Sequence, residues 1–170
     1  IHADHITGAS KLKSNTNCTT IMGENSPAET VDIKLKDDEI IEIDQLKIRA
    51  MFTPGHTSDS YSFLMDKYLF SGDTLLINAT GRTDFQNGSS KDAYYSLFHK
   101  LLKLPDQTIL YPGHDYNGKK SSTIGKEKEH NPRLQVDNVD QYIEIMSNLS
   151  LSKPKMIDYN ISKNLKLGKI

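Results

Sequence analysis

Four short segments of this chain pair histidine or aspartate with glycines and turns: His2-Ala3-Asp4-His5, Pro54-Gly55-His56-Thr57, Ser71-Gly72-Asp73-Thr74 and Pro112-Gly113-His114-Asp115. Each of the last three follows a strand-like apolar run, and four of the six histidines fall in these segments. Imidazole and carboxylate groups placed at strand ends can converge on one metal ion. A histidine after Pro-Gly sits on an exposed, rigid turn rather than within a strand. An aspartate closing Tyr68-Leu69-Phe70-Ser71-Gly72 is expensive at the rim of a core unless a cation or hydrogen bonds compensate it. For His56 or Asp73 alone, a turn or capping role is an equal reading. With His2, Asp4, His5 and His114 in similar settings, a shared metal accounts for all of them. His99 lies on a predicted helix and His130 in a charged stretch, where a surface or capping role suffices.

The residues between these segments read as strand pairs with helices between them. Ile6 to Leu12 continues the first segment as a short helix, and Thr19 to Met22 reads as a short strand. Residues 39 to 52 predict a hairpin. Ile41 and Ile43 alternate with Glu42 and Asp44, then Leu46, Ile48 and Ala50 with Lys47 and Arg49, the period of strands with one wet face. Tyr61 to Met65 and Lys67 to Phe70 form a second pair around Asp66. Ser89 and Asp92 have capping-box spacing and open a helix with the stripe Tyr94, Leu97, Phe98 and Leu101. Thr108 to Tyr111 is a short strand. A further helix begins at Asn138, with Gln141 at its third position and Tyr142, Ile145, Met146 and Leu149 on one face. The order predicts a layered α/β fold with its chemistry at strand-to-loop junctions.

Composition excludes several partners. A chain of 170 residues is most simply one domain, 1–170, with room for a real core. Its apolar share is 36% and its net charge −1, so no global field points to nucleic acid or an anionic membrane. No apolar stretch approaches the roughly 18 residues of a membrane span. The single cysteine, Cys18, excludes an internal disulfide, fits a reducing compartment and reads as a small buried residue rather than a nucleophile.

The four segments, in this order, resemble the successive metal motifs of the metallo-β-lactamase superfamily. Within it the chain is most similar to persulfide (sulfur) dioxygenases, with glyoxalase II the nearest relative in chemistry. The narrower match rests on residues 2–8, Gly81-Arg82-Thr83-Asp84-Phe85-Gln86, Tyr111 to Tyr116, Asn131-Pro132-Arg133-Leu134, Ile145 to Leu149, Lys153-Pro154-Lys155 and Ile157-Asp158. The resemblance runs from the first residue almost to the last. One departure is Asn78-Ala79-Thr80 before Gly81, where the family often has a Gly-Cys pair.

The resemblance implies an αββα sandwich, two sheets between helical layers. The chain opens inside the first motif with isoleucine, so an N-terminally truncated domain lacking much of the first sheet is expected, with exposed sheet edges. It also implies a mononuclear non-haem iron(II) held by two histidines and an aspartate. His56 and Asp73 are two of these catalytic metal ligands, and the other histidine would immediately precede Ile1. Three ligands on one face suit oxygen chemistry, because positions stay open for substrate and O2. In hydrolase relatives His2 joins the first metal site, while Asp4, His5 and His114 complete a second, bridged by Asp73. In the dioxygenases that second site is normally empty, and these residues become hydrogen-bond partners. Arg82 would grip a carboxylate of glutathione, and Tyr116 could contact the same tripeptide or simply pack. Arg133 reads as structural. The implied activity is oxidation of glutathione persulfide by O2 to sulfite and glutathione. The alternatives are a glyoxalase II-like thioester hydrolase with one or two zinc ions, and an inactive, metal-poor fragment. Partners would be the persulfide, O2 and a second copy in a homodimer, without nucleic acid or membrane. Abundant lysine, asparagine and isoleucine suggest an AT-rich bacterial genome and hence a cytoplasmic setting, or a mitochondrial one in a eukaryote.

Overall fold

The computed structural model of the protein describes residues 1–153 and 155–169; Pro154, part of the tail motif above, lies outside them. The chain divides into two units, Ile1–Lys36 with Ser150–Ile170, and Asp37–Leu149. In the smaller unit α1 (Ala9–Thr16) starts later than the expected Ile6, after Gly8, and ends at Asn17 in the left-handed conformation that closes many helices. β1 (Ile21–Gly23) pairs in parallel with β2 (Ile33–Leu35), which is too short to leave a readable period.

In the larger unit the period-two residues form the strands they predict. β3 (Ile40–Ile43) and β4 (Leu46–Phe52) make one antiparallel hairpin, β5 (Tyr61–Met65) and β6 (Tyr68–Gly72) another, and β4 pairs β5. Asp44 and Asp66 occupy the two tight turns at φ 54°, a left-handed conformation that aspartate tolerates better than most side chains. Two short strands follow, β7 (Leu75–Leu76) and β8 (Ala79–Thr80). α2 (Ser90–His99) then crosses back, so that β9 (Ile109–Pro112) lies parallel to β6. β10 (Ser122–Thr123) completes a six-stranded sheet in the order β10-β9-β6-β5-β4-β3.

α2 starts where the capping residues predict, with Ser89 Oγ accepting from Asp92 N at 3.1 Å. Leu101 does not extend its stripe but is buried in a separate 3-10 turn, Leu101–Lys103. α3 (Ile124–His130) is hidden in the sequence by its charged run. In α4 (Val139–Ser147), Asn138 caps by accepting from Gln141 N at 3.0 Å, while Gln141 reaches back one residue further than expected, to Asp137 N at 2.8 Å. Leu97, Leu101, Ile124 and Tyr142 close on Leu69, Leu75 and Leu110, all 0% exposed. At about 1.5–3 kcal/mol for each buried aliphatic side chain, this cluster is the main hold on the sheet. His99 and His130 are the last residues of α2 and α3. Cys18 is half-buried. α5 (Ile157–Asn164) ends the smaller unit with two buried polar residues, Asn160 and Asn164.

Candidate metal centre

Strand direction decides where the chemistry collects. β4 is antiparallel to β5, β5 is antiparallel to β6, and β6 is parallel to β9, so β4, β6 and β9 all point the same way. Their C-terminal ends share one edge of the sheet, and His56, Asp73 and His114 each follow one of those ends. β6 and β9 are direct neighbours, about 4.8 Å apart, which brings Asp73 and His114 into contact.

His114 Nδ1 donates to Asp73 Oδ1 at 2.7 Å, and Asp73 Oδ2 lies 3.6 Å from His56 Nε2. His56 Nδ1 donates to the Arg82 carbonyl at 2.8 Å. In a neutral ring that bond puts the lone pair on Nε2. An imidazole nitrogen and a carboxylate oxygen therefore face each other across a gap that a cation would bridge. Two atoms about 2.1 Å from one ion are about 3.0–3.4 Å apart at ordinary coordination angles. His56 and Asp73 thus fit a shared divalent ion with little adjustment. Asp73 is 8% exposed, deep enough that an uncompensated carboxylate would be costly.

Glycine supplies the space. A Cβ on Gly81 would lie 2.0 Å from the Asp73 carbonyl oxygen and 3.0 Å from His56 Nδ1, and one on Gly113 would lie 2.8 Å from Asp73 Oδ1. Next to the turns that carry His56 and Asp73 is a set of buried hydroxyls that sequence reasoning missed. Thr53 Oγ1 and Ser62 Oγ are 2.9 Å apart, and Thr74 Oγ1 donates to the Thr53 carbonyl at 3.3 Å. These bonds tie the turn before His56 to the residue after Asp73. The only sequence signal was the placement of Thr53 and Thr74 beside the two motifs.

Arg82 lies in the loop that fixes His56. Its Nε and Nη2 donate to Asp84 Oδ1 and Oδ2 at 2.7 and 2.8 Å, and its guanidinium carbon sits 4.4 Å from the centre of the Phe85 ring. The hydrogen bonds to Arg82 hold the Asp84 carboxyl below the usual carboxylate range and push the guanidinium further up. Tyr116 is 82% exposed, with its ring nearly parallel to that of His114 at 6.0 Å.

The loop rests on a second network that was not legible. Glu127, 1% exposed on α3, accepts from Asn78 N at 2.8 Å, Asn131 Nδ2 at 2.9 Å and Ser122 Oγ at 2.5 Å. Asn131 also donates to the Ala79 carbonyl at 2.9 Å, and Arg133 to the Thr80 carbonyl, a structural role as the sequence suggests. Thr80 Oγ1 is 3.0 Å from the Tyr142 hydroxyl, whose pKa burial pushes up to about 12.

In the smaller unit the side chains of the first motif come together. Ligand atoms of His2, Asp4 and His5 lie within 4.8 Å of one another, with His5 Nδ1 and Asp4 Oδ1 at 2.9 Å. α5 holds the backbone of this segment. Asn164 donates to the His2 and His5 carbonyls at 2.9 and 2.8 Å, and Asn160 to the Ala3 carbonyl at 2.9 Å. No helix among the described residues is long and apolar enough to cross a membrane.

Comparison with known proteins agrees with this architecture. Residues 1–114 match the metallo-beta-lactamase superfamily. The mitochondrial persulfide dioxygenase of Homo sapiens is 37% identical over 170 residues, 98% of this chain, and the chain spans 66% of that protein's length. The hydroxyacylglutathione hydrolase of Dictyostelium discoideum is 30% identical over 165 residues, covering 92% of this chain and 61% of that protein. The crystal structure of ETHE1 from Myxococcus xanthus is similar with a TM-score of 0.96 at 41% identity, covering 99% of this chain and 75% of that one. The mixed α/β fold is thus the metallo-beta-lactamase fold anticipated from the motifs, and the chain belongs to the metallo-beta-lactamase superfamily.

Proposed function

We propose that this protein is an iron(II)-dependent persulfide dioxygenase that oxidises glutathione persulfide with O2 to sulfite and glutathione. The observation that supports it most is the hydrogen bond from His114 to Asp73. It holds Asp73 Oδ1 and leaves Oδ2 toward His56 Nε2, the arrangement of a carboxylate that gives one oxygen to one ion. The likeness to persulfide dioxygenases over nearly the whole chain points the same way.

His56 and Asp73 are two of the iron ligands. Iron(II), when bound through them, supplies open coordination positions and one-electron chemistry toward O2. The protein's own groups orient. The Arg82 carbonyl fixes the His56 ring and its tautomer, and His114 fixes one oxygen of Asp73. The Arg82 guanidinium offers charge to a carboxylate of the tripeptide, and the exposed Tyr116 ring offers an apolar surface beside it.

In the iron-loaded protein, glutathione persulfide should drive oxygen consumption and sulfite release, and S-lactoylglutathione should be hydrolysed slowly. His56→Ala and Asp73→Ala should each abolish iron retention by elemental analysis. Brisk thioester hydrolysis without oxygen uptake, with two zinc ions per chain, would replace this reading with that of a two-metal hydrolase.

A further inference from the structure

The pair formed by Arg82 and Asp84 is more ordered than a surface ion pair needs to be. Asp84 takes the Nε–Nη2 edge of the guanidinium with both carboxylate oxygens, at 2.7 and 2.8 Å, and Phe85 lies against its face. One edge and one face of the cation are therefore held by residues of its own loop. That loop is itself constrained. Gln86 and Asn87 take left-handed φ of 53° and 56°, and a Cβ on Gly88 would meet the Thr83 carbonyl oxygen at 2.5 Å. Thr83 Oγ1 is 2.7 Å from Ser90 Oγ, and Ser89 N donates to the Gly55 carbonyl at 2.9 Å, so the loop is pinned to the start of α2 and to the turn before His56.

Exposure distinguishes the partners. The Asp84 side chain is 55% exposed and that of Arg82 only 15%. An exposed carboxylate gains little stability from such a pair. Its larger effect is on the arginine, a long side chain that otherwise loses many rotamers when it meets a ligand. The main chain of Arg82 is engaged separately, through its carbonyl, by His56. The side chain can therefore be perturbed without touching the metal ligand.

We propose that Asp84 is a positioning residue for substrate, holding the Arg82 guanidinium against Phe85 so that it meets a ligand carboxylate already oriented. This rests on the reading of Arg82 as the carboxylate-binding residue given above. On this reading Asp84 acts through Arg82, whose guanidinium takes both of its carboxylate oxygens.

The test uses the iron-loaded protein, glutathione as the calorimetric probe, and steady-state oxygen uptake with glutathione persulfide. Asp84→Ala should raise both the Kd for glutathione and the KM about tenfold, with kcat and iron content within about twofold of the parent. Asp84→Asn, which keeps one acceptor, should fall between. In an Arg82→Ala background, Asp84→Ala should have no further effect, because the residue through which it acts is gone. Glutathione affinity unchanged or tightened in Asp84→Ala overturns the proposal. So does a loss that adds to that of Arg82→Ala, since general damage to the loop would behave that way. A loss in Arg82→Ala without one in Asp84→Ala sinks this inference alone. Unchanged glutathione binding in Arg82→Ala sinks the carboxylate reading of Arg82 and the inference with it. If glutathione binds but its persulfide drives no oxygen uptake, the dioxygenase assignment fails while the binding cycle still decides the role of Asp84.

Discussion

Glu127 provides a sharp test of how the loop bearing Arg82 is held. Its buried carboxylate accepts from three donors, and two of them, Asn78 N and Asn131 Nδ2, share Oε2. Hydrogen bonds to a charged acceptor contribute about 1.5–3 kcal/mol each, and a stranded buried donor costs on the order of 1–3 kcal/mol. These figures do not add fully, because water and local relaxation recover part of the loss. Glu127→Ala should therefore cost about 3–5 kcal/mol, the range for removing one partner of a buried charged network. Glu127→Gln keeps the shape. Its carbonyl can serve Asn78 N and Asn131 Nδ2 while its amide donates to Ser122 Oγ, so the cost should be about 1–2 kcal/mol.

Urea unfolding followed by far-UV circular dichroism separates the two variants. At a slope of about 2 kcal/mol per M, Glu127→Ala should lower the midpoint by about 2 M and Glu127→Gln by less than about 1 M, with the slope itself unchanged. A midpoint shift below about 0.5 M for Glu127→Ala would show that the carboxylate is dispensable. Equal losses in the two variants would show that charge, rather than acceptor geometry, is what the site requires.

Two other outcomes follow from the packing around the loop. The Tyr142 phenol has its pKa pushed up to about 12 by burial, while the unfolded chain ionises near the ordinary value of about 10. Its contribution to stability is therefore complete below about pH 10 and lost as pH rises to about 12, a fall of about 2–3 kcal/mol. Tyr142→Phe should remove that alkaline slope while costing about 1 kcal/mol at neutral pH for the bond to Thr80, and a slope that persists in the variant refutes the assignment. Gly81→Ala forces a methyl group into the Asp73 carbonyl oxygen and the His56 ring, so it should cost about 2 kcal/mol or more and abolish iron retention. An iron-replete Gly81→Ala protein would show that the close approach is not needed.

The parts of this fold that follow local rules were readable from sequence. The apolar runs within residues 41–50 and 61–70 become paired strands, although Ile43 and Leu46 stay exposed in the hairpin at the sheet edge. Ser89 and Asn138 act as caps because their side chains reach backbone donors of the next turn. The turns that carry His56 and Asp73 were readable because Pro-Gly and Ser-Gly end strand-like runs. What stayed hidden depends on distant partners. Glu127 sits in Lys126-Glu127-Lys128-Glu129-His130, which reads as a solvated face until Asn78 and Asn131 are seen around it. α5 inverts the usual pattern by burying Asn160 and Asn164, whose task is to satisfy backbone carbonyls more than 150 residues away in sequence. Asp84 was visible as a letter in the Gly-Arg-Thr-Asp-Phe-Gln motif, but its two-oxygen grip on the Arg82 guanidinium is a matter of side-chain geometry that no letter carries.

The shared direction of β4, β6 and β9 gives the large sheet one chemically silent border. The turns at Asp44 and Asp66 and the entry to β9 near Asp106 all lie at the ends of strands opposite the ligands. Chain length can vary there without moving an imidazole or a carboxylate, because a surface loop of extra residues costs little and transmits nothing along paired strands. The border is thus where a tag, a fluorophore or a new chain break could be introduced with the metal edge intact. Along the opposite border, the loops after residues 73 and 114 can vary while the strands keep His56, Asp73 and His114 in register.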